Sequence, residues 1–199
     1  MWITIPSELI CTVNLCFLDI SKTFDKVNHY GLYIKLMKRN VPPILLHVTI
    51  NWYSKCTAVV KWRNVLSYGF QLKCGVRHLS PLLFSVYIND VITKLKEYKC
   101  ECSISSEYAG CLMYADDLVL VSASLSVLQD MLNIVELEIL YLDMSFNVAK
   151  CGIVRVGARC KNVCGASIEF RPKMKYLGIY VSSAKTFKCS FLNAVLVFF

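Results

Sequence analysis

The stretch that most constrains this chain is CLMYADDLVLVSAS, residues 111 to 124, where Asp116 and Asp117 interrupt an otherwise apolar run. The pattern predicts two short strands with the acids at the turn between them. Burying an unpaired carboxylate is costly unless a partner compensates its charge. A divalent cation such as Mg²⁺ is a suitable partner, because it prefers carboxylate oxygens and leaves positions open for phosphates. The alternative is an ordinary solvent-exposed turn with two acids that have no chemical role.

A third acid, Asp19, stands near the end of a second apolar run, LCFLDI, residues 15 to 20. A short run of this kind is typical of a buried strand. If that strand lies beside the 111–124 hairpin, Asp19 joins Asp116 and Asp117 in one acidic cluster. Three carboxylates suit two divalent ions about 4 Å apart, an arrangement that activates an attacking 3′-hydroxyl and stabilises a leaving pyrophosphate.

The rest of the pattern mixes strands and helices. Ser80 followed by Pro81 is a strong helix start. Residues 43–55 have helical spacing, residues 57–74 suggest a hairpin, and residues 175–181 predict one last strand. Apolar residues at helical spacing predict a further helix: Leu128, Met131, Val135, Ile139 and Leu142. This order of elements predicts an α+β fold.

The net charge of +8 is distributed unevenly over the 199 residues. Residues 111–146 hold six acids and no Lys or Arg, whereas residues 147–199 hold nine Lys or Arg and one acid. A basic surface near an acidic cluster suits a protein that handles polyanions together with bound metal. The basic residues expected to contact phosphates are Lys150, Arg155, Arg159, Lys161, Arg171, Lys173 and Lys175. The alternative is a solvated basic tail.

The chain has eleven cysteines, an odd number that cannot all pair within one molecule. Because neither a CxxC pair nor a pair of suitably spaced histidines completes a zinc pattern, we expect unpaired thiols in a reducing, intracellular compartment. Polar residues interrupt every apolar run before about 18 residues, so no membrane span is predicted. The first residues lack the basic leader of a secretory signal.

Five sequence blocks occur in an order that resembles the reverse transcriptases of non-LTR (LINE-type) retrotransposons. The blocks are FLDISKTFDKV at 17–27, GVRHLSPLLFSVYIND at 75–90, YADDLVLV at 114–121, FNVAK at 146–150 and KYLG at 175–178. The resemblance covers residues 15–185. It implies a polymerase palm, which is an antiparallel sheet with packed helices, and an RNA-directed DNA polymerase that acts on an RNA template, a DNA primer and dNTPs.

The resemblance also implies the catalytic residues. Asp19 matches the first metal-binding aspartate, and Asp116 and Asp117 match the acid pair of the YxDD block, so the three together would hold two Mg²⁺ or Mn²⁺ ions. Lys150 matches the lysine that protonates the leaving pyrophosphate. The alternative for Lys150 is one more surface lysine.

Further matched positions are implied to contact substrates. Phe24 matches the gate that excludes a ribose 2′-hydroxyl, although it also suits an ordinary core residue. The other implied contacts are Ser80 after the nucleotide loop, Tyr114 and Ala115 at the primer end, and Tyr176, Leu177 and Gly178 in a primer-grip turn. Ordinary strand packing is the alternative for that last turn.

The match breaks at the loop before Ser80. The family pattern G-V-x-Q-G-x-x-L-S-P is here GVRHLSP, in which His78 replaces four residues, so the loop is three residues short. We also expect the fingers and thumb to be largely missing and to come from a longer polyprotein, with 1–14 a remnant of the fingers junction and 186–199 an unmatched apolar tail. The sequence therefore predicts a palm fragment with impaired activity. The alternatives are a non-catalytic nucleic-acid-binding remnant and a decayed copy with no selected role.

Overall fold

The computed structural model describes residues 2–4, 12–76, 80–98, 102–104, 107–158 and 168–190. The chain divides into two compact units. We call Met1–Ser21 together with Val91–Phe199 the sheet unit, and Lys22–Asp90 the helix unit. The short loop around His78, the residues Arg159 and Lys161, and the tail from 191 onward lie outside the described residues.

The described ranges contain four helices and fifteen strands. The helices are α1 (His29–Lys38), α2 (Pro43–Ser54), α3 (Ser80–Glu97) and α4 (Leu125–Tyr141). The strands are β1 (Trp2–Thr4), β2 (Val13–Ser21), β3 (Thr57–Ala58), β4 (Lys61–Trp62), β5 (Val65–Leu66), β6 (Phe70–Gln71), β7 (Ser103–Ile104), β8 (Glu107–Tyr108), β9 (Cys111–Tyr114), β10 (Asp117–Ser122), β11 (Ser145–Phe146), β12 (Gly152–Val156), β13 (Lys173–Tyr176), β14 (Ile179–Ser182) and β15 (Lys188–Ser190). No helix in these ranges is long and apolar enough to cross a membrane.

Strand β2 is the centre of the main sheet of the sheet unit. It pairs antiparallel with β10 on one side and with β11 and β12 on the other, and β9 extends the sheet beyond β10. Most of β2 is buried, as expected for a strand that is covered on both faces. On one of those faces Phe17 packs with Val119 and Val154 and with two residues of the hairpin β13–β14, Met174 and Val181.

Helix α4 packs against β2, β10 and β11. Its buried side chains recur at helical spacing: Leu128, Met131, Leu132, Val135 and Ile139. The amphipathic helix predicted from this stripe is therefore confirmed. Such a stripe stabilises a helix through tertiary burial more than through intrinsic propensity.

A second antiparallel sheet has the order β1-β15-β14-β13. The single strand predicted over 175–181 is wrong, because the chain reverses within it to form the hairpin β13–β14. Leu177 and Gly178 form the turn, with φ of +47° and +84°. Two successive positive φ values are typical of the tight turn whose twist matches antiparallel strands. Trp2–Thr4 and Lys188–Ser190 also pair in this sheet, so both terminal segments contribute a strand.

The helix unit contains α1, α2, the beginning of α3 and two short nested hairpins. Its buried residues include Val27, Leu32, Leu36, Tyr53, Phe84 and Tyr87. The helices predicted at 43–55 and from Ser80 are confirmed, and so is the hairpin within 57–74. Gly75 has a φ of +90° and approaches the Asp25 carbonyl so closely that an added Cβ would lie 3.1 Å from that oxygen. Glycine is therefore required where this chain enters the loop before α3.

Leu128→Ala should lower the free energy of unfolding by about 2 to 5 kcal/mol, because removing a buried leucine side chain leaves a cavity. Leu128 has no exposed surface, whereas Leu137 on the same helix is 65% exposed. Leu137→Ala should therefore change the free energy by no more than about 0.5 kcal/mol. Urea unfolding of both variants measures the difference. Equal losses would contradict the orientation of α4.

Candidate active site

The acid pair lies at the tip of the hairpin formed by β9 and β10, as predicted. Tyr114 and Asp117 face each other as the last paired residues, and Ala115 and Asp116 make the connection. Ala115 has a φ of +52°, a left-handed conformation that is uncommon for a residue with a Cβ. The backbone N–H of Ile20 donates to the Asp116 carbonyl at 3.4 Å, which ties the tip to β2. Strained backbone of this kind is often found at functional sites.

Asp19 lies directly opposite Asp117 in the antiparallel pairing of β2 with β10. The expectation that the strand of Asp19 neighbours the hairpin is confirmed. Side chains directly opposite one another on adjacent strands are close, and like charges in such a pair are destabilising. The pairing therefore concentrates negative charge at one end of the sheet.

The electrostatics of Asp117 reflect this concentration. Burial raises the pKa of the Asp117 carboxyl above its ordinary value, and the neighbouring charges of Asp116 and Asp19 raise it further. Lys150 acts in the opposite direction and more weakly. The side chain of Asp117 is therefore held in a setting that disfavours its charged form.

Lys150 reaches the acids from the turn between β11 and β12. Its Nζ lies 3.3 Å from Oδ1 of Asp19. The turn is fixed by two backbone hydrogen bonds, from Asn147 N–H to the Asp19 carbonyl at 2.8 Å and from Lys150 N–H to the Asn147 carbonyl at 2.9 Å. The Lys150 side chain is 66% exposed, so this ion pair contributes little stability and can open readily.

The structure places two further residues at this site, and sequence reasoning gave neither of them a role there. The Sγ of Cys151 accepts a hydrogen bond from the Asp19 backbone N–H at 3.5 Å, and burial raises the pKa of its thiol. Nη2 of Arg171 donates to the Ala149 carbonyl at 2.8 Å, next to Lys150. The one sequence feature that could have pointed to Cys151 is its position directly after Lys150. Arg171 was expected only as part of a basic segment.

A cavity of about 300 Å³ opens beside the acids. Its polar lining includes Asp19, Asp117, Lys150, Arg171, Lys175 and Tyr176. The Tyr176 ring packs at 6.0 Å from the ring of Phe17, and burial together with the Asp117 charge raises the pKa of its hydroxyl. Tyr176 thus lies with the acids, while the neighbouring Leu177–Gly178 turn ends the β13 strand.

Of the remaining residues predicted from the sequence, Tyr114 lies opposite Asp117 in the acid hairpin, whereas Phe24 and Ser80 lie in the helix unit. Tyr114 is 65% exposed at the end of β9. Phe24 and Ser80 belong to the helix unit, where the Phe24 ring packs edge-on against Phe84 with 5.3 Å between ring centres. The Phe84 contact suits an ordinary core residue as well as a gate, so the substrate contacts of Phe24 and Ser80 stay predictions.

The donor set at the hairpin tip fits a hard divalent cation by its chemistry, since carboxylate oxygens are the ligands such ions prefer. Within the described residues, however, no three His, Cys, Asp or Glu side chains lie close enough together to hold a metal ion. In this arrangement the Lys150 ammonium is the cation beside Asp19. Binding of a metal would therefore require the carboxylates to turn toward one another.

Asp117→Asn should raise the free energy of unfolding at neutral pH in metal-free buffer. A carboxyl whose pKa is higher in the folded state binds its proton more tightly when folded, so its charged form destabilises the fold. That cost is complete above the folded-state pKa, shrinks as the pH falls through it, and vanishes below the unfolded-state pKa. The stabilisation by Asn should follow the same course and disappear at acid pH.

Urea unfolding across this pH range, with EDTA present, measures the effect. Glu136→Gln, at an exposed acid on α4, is the matched control and should have little effect at any pH. A gain in Asp117→Asn that persisted at acid pH would contradict the electrostatic explanation.

Comparison with known proteins identifies the family. A family model described as reverse transcriptase (RNA-dependent DNA polymerase) matches residues 12–181. The chain is 29% identical over 195 residues to the RNA-directed DNA polymerase from mobile element jockey of Drosophila melanogaster. The alignment covers 89% of this chain and 20% of that protein. It is 23% identical over 190 residues to the Pol polyprotein from the type-2 retrotransposable element R2DM of the same organism, which covers 87% of this chain and 18% of that protein. The chain thus spans about a fifth of the length of these curated relatives.

Solved structures show the same fold. The apo telomerase from Candida tropicalis matches with a TM-score of 0.64 at 13% identity, over 87% of this chain and 32% of that one. The telomerase of the same organism in complex with the TWJ fragment of telomeric RNA matches with a TM-score of 0.62 at 14% identity, over 87% of this chain and 29% of that one. The predicted α+β fold with a palm-like antiparallel sheet is confirmed.

These comparisons bear on two of the interpretations that the sequence left open. They support the polymerase interpretation and do not favour a non-catalytic nucleic-acid-binding remnant. The family model covers the strand of Asp19, the acid hairpin and the turn of Lys150 in one continuous match. The chain therefore belongs to the reverse transcriptase family, as a reverse transcriptase domain of the non-LTR retrotransposon type.

Proposed function

We propose that residues 15–185 form the palm of an RNA-directed DNA polymerase whose catalytic acids are Asp19, Asp116 and Asp117. The observation that carries this proposal is the pairing of β2 with β10, which sets Asp117 opposite Asp19 and beside Asp116. The partners are an RNA template, a DNA primer and dNTPs. Segments 1–14 and 186–199 flank the palm, and other parts of a longer polyprotein complete the enzyme.

Members of the reverse transcriptase family generally use divalent metal ions. In this chain the three carboxylates would hold two Mg²⁺ or Mn²⁺ ions, which would activate the primer 3′-hydroxyl and stabilise the leaving pyrophosphate. The position of the acids at the end of the sheet, beside an open cavity, leaves room for a triphosphate. In phosphoryl transfer the protein contributes mainly positioning and electrostatics, and both depend here on the β2–β10 register.

Lys150 is the proposed proton donor to the leaving pyrophosphate. Its Nζ is held near the acids by Asp19 at 3.3 Å, and its side chain is exposed enough to move from that carboxylate to a phosphate oxygen. The two backbone hydrogen bonds of the 147–150 turn fix the base of the side chain. Lys150 is thus anchored by its backbone, and its charged end is mobile.

The remaining proposed roles concern substrate position. Tyr114 and Ala115 contact the primer end, because Tyr114 is exposed at the end of β9 and Ala115 follows it in the turn beside the acids. Tyr176 and the Gly178 turn grip the primer strand. In the helix unit, Phe24 excludes a ribose 2′-hydroxyl, and Ser80 begins the helix that follows the nucleotide loop.

Divalent metal should stabilise the folded chain, because a ligand that binds only the folded state shifts unfolding by mass action. At a concentration of about 100 times its Kd, Mg²⁺ or Mn²⁺ should raise the free energy of unfolding by about 2.7 kcal/mol. For a chain of this size that corresponds to a rise of roughly 5 to 10 °C in Tm. Thermal unfolding with and without metal measures the gain. Asp116→Asn should remove most of it, and Glu136→Gln should keep it. Equal gains in Asp116→Asn and the parent chain would contradict the site.

The shortened loop before Ser80 should limit catalysis. Misplacing reacting groups by about 1 Å costs on the order of a hundredfold in rate, and three missing residues shorten the reach of the loop by up to roughly 10 Å. A version with Gln-Gly and two spacer residues in place of His78 should therefore extend a primer at least about a hundredfold faster than the chain as written.

Primer extension on an RNA template, with dNTPs and Mg²⁺ or Mn²⁺, measures this difference. Asp116→Ala in the lengthened version is the matched control and should abolish extension. Clear extension by the unmodified chain that vanishes in its own Asp116→Ala variant would show that the loop is not limiting. Failure of every version, with metal stabilisation intact and with fingers and thumb segments supplied in trans, would contradict the proposed polymerase activity.

A further inference from the structure

A second cavity, of about 470 Å³, lies in the sheet unit at the end of the main sheet opposite the acids. We call it the distal cleft. Its lining includes Arg155, Phe170, Arg171, Ser183 and Lys185. The register places it, since Val156 of β12 pairs with Val13 at the beginning of β2, six residues before Asp19. At about 3.3 Å per strand residue, this far end of the cleft lies about 20 Å from the acids.

Arg155 is held in this cleft by neutral partners. Its Nη1 donates to Oδ1 of Asn14 at 3.1 Å, and its Nε donates to the Ala158 carbonyl at 2.7 Å. Asn14 has no exposed surface, and its Nδ2 donates to the carbonyls of Ser122 and Ala123 at 3.1 and 3.2 Å. A buried, fully hydrogen-bonded amide thus orients the guanidinium and leaves its positive charge uncompensated.

Arg171 connects the distal cleft with the cavity beside the acids, because it lines both of them. Its backbone is fixed to β12, since Arg171 N–H donates to the Ile153 carbonyl at 2.8 Å. Its side chain crosses Gly152, where an added Cβ would lie 2.7 Å from Cδ of Arg171. Glycine at this strand position therefore lets the arginine pass over the sheet.

The charge around the distal cleft is strongly positive. The described residues from 147 to 190 contain seven Lys or Arg and one acid, the exposed Glu169. Within those residues Arg155, Arg171 and Lys185 form no salt bridge. Phe170, fixed by its bridge to Ile153, is 38% exposed beside them. Cations without acidic partners and an accessible ring form a site for phosphates with a stacked base.

We propose that the distal cleft binds the phosphodiester backbone of a single-stranded nucleic acid, with Phe170 stacking on a base. Arg171 makes the cleft continuous with the acid-side cavity, so one strand can occupy both. At 3.4 Å per nucleotide, a span of about 20 Å corresponds to about six nucleotides in duplex geometry. The cleft would then hold a strand well away from the reacting end and keep it bound between additions. The inference goes beyond the proposed function, since it concerns binding that needs no metal.

The test is the affinity of the chain for a labelled single-stranded RNA of about 12 nucleotides, roughly twice the proposed span, measured by fluorescence anisotropy in EDTA over a range of salt. Lys185→Ala removes one phosphate contact, so the slope of log affinity against log salt should flatten by about 0.7. Near 0.1 M salt this corresponds to an affinity about fivefold lower. Lys96→Ala, an exposed lysine on α3 with the same charge change, is the matched control and should leave the slope unchanged.

A second variant separates stacking from charge. Phe170→Leu should lower the affinity about fivefold or more and leave the salt slope unchanged, because base stacking is not a counterion effect. An RNA with abasic sites should bind both chains equally. Both variants act on exposed or partly exposed side chains, whereas an Arg155 variant would also disturb the buried Asn14 and is a poorer test.

Three outcomes would overturn the proposal. The first is an equal slope of log affinity against log salt for Lys185→Ala and the parent chain, and the second is an equal flattening of that slope in Lys96→Ala. The third is complete displacement of the RNA by inorganic phosphate at the concentration of RNA phosphate, which would make the cleft a site for free phosphate. The same measurements in the Asp116→Asn background keep this proposal distinct from the proposed function. Loss of metal stabilisation there, with the Lys185 effect intact, would support the cleft independently of the catalytic acids.

Discussion

The pairing of β2 with β10 is the interaction on which the rest of the sheet unit depends. It aligns Leu118 with Leu18 and Val119 with Phe17, and in the same register it sets Asp117 opposite Asp19. A slip of one residue would turn every side chain of β10 to the other face and would break the packing of Val119 with Phe17 and Val154. Apolar packing thus enforces a register that the acids alone would oppose, since opposed like charges repel.

The acids are tolerable because of where they lie along these strands. The buried part of β10 is the run Leu118–Leu120, and Asp117 precedes it at the open end of the sheet. Water can reach the carboxylates through the open cavity, and the Lys150 ammonium lies near Asp19. Both reduce the free-energy cost of the charges there. The left-handed Ala115 adds strain at the same tip. Charge repulsion and backbone strain at this tip therefore oppose stability, and the apolar core behind the tip offsets them.

The sequence was sufficient wherever the determinants were local or strongly periodic. The acid hairpin, the Ser80 helix start and the stripe of α4 follow from turn chemistry, capping and 3.6-residue spacing. The apolar pattern alone missed the β13–β14 hairpin, because Leu177 is a poor turn former whose left-handed φ depends on tertiary context, although the family resemblance implied a turn there. The Arg155–Asn14 contact joins residues 141 positions apart, and no local pattern encodes such a pair. The family resemblance supplied roles for the acids, but it gave no indication of the distal cleft.

The two cavities differ in their charged groups: Asp19 and Asp117 line the cavity at one end of β2, Arg155 and Lys185 line the distal cleft toward the other end, and Arg171 lines both. About 20 Å separates Asp19 from the far end of the distal cleft along the strand, which is about twice the screening length at physiological salt. The acidic end and the basic end therefore act almost independently on exposed charges. A polyanion in the distal cleft gains its attraction even when the acids are bare, and repulsion at the acids persists until cations neutralise them. The proposed strand binding and the proposed metal-dependent chemistry should thus be separable by substitution, because Arg155 and Lys185 do not line the cavity beside the acids.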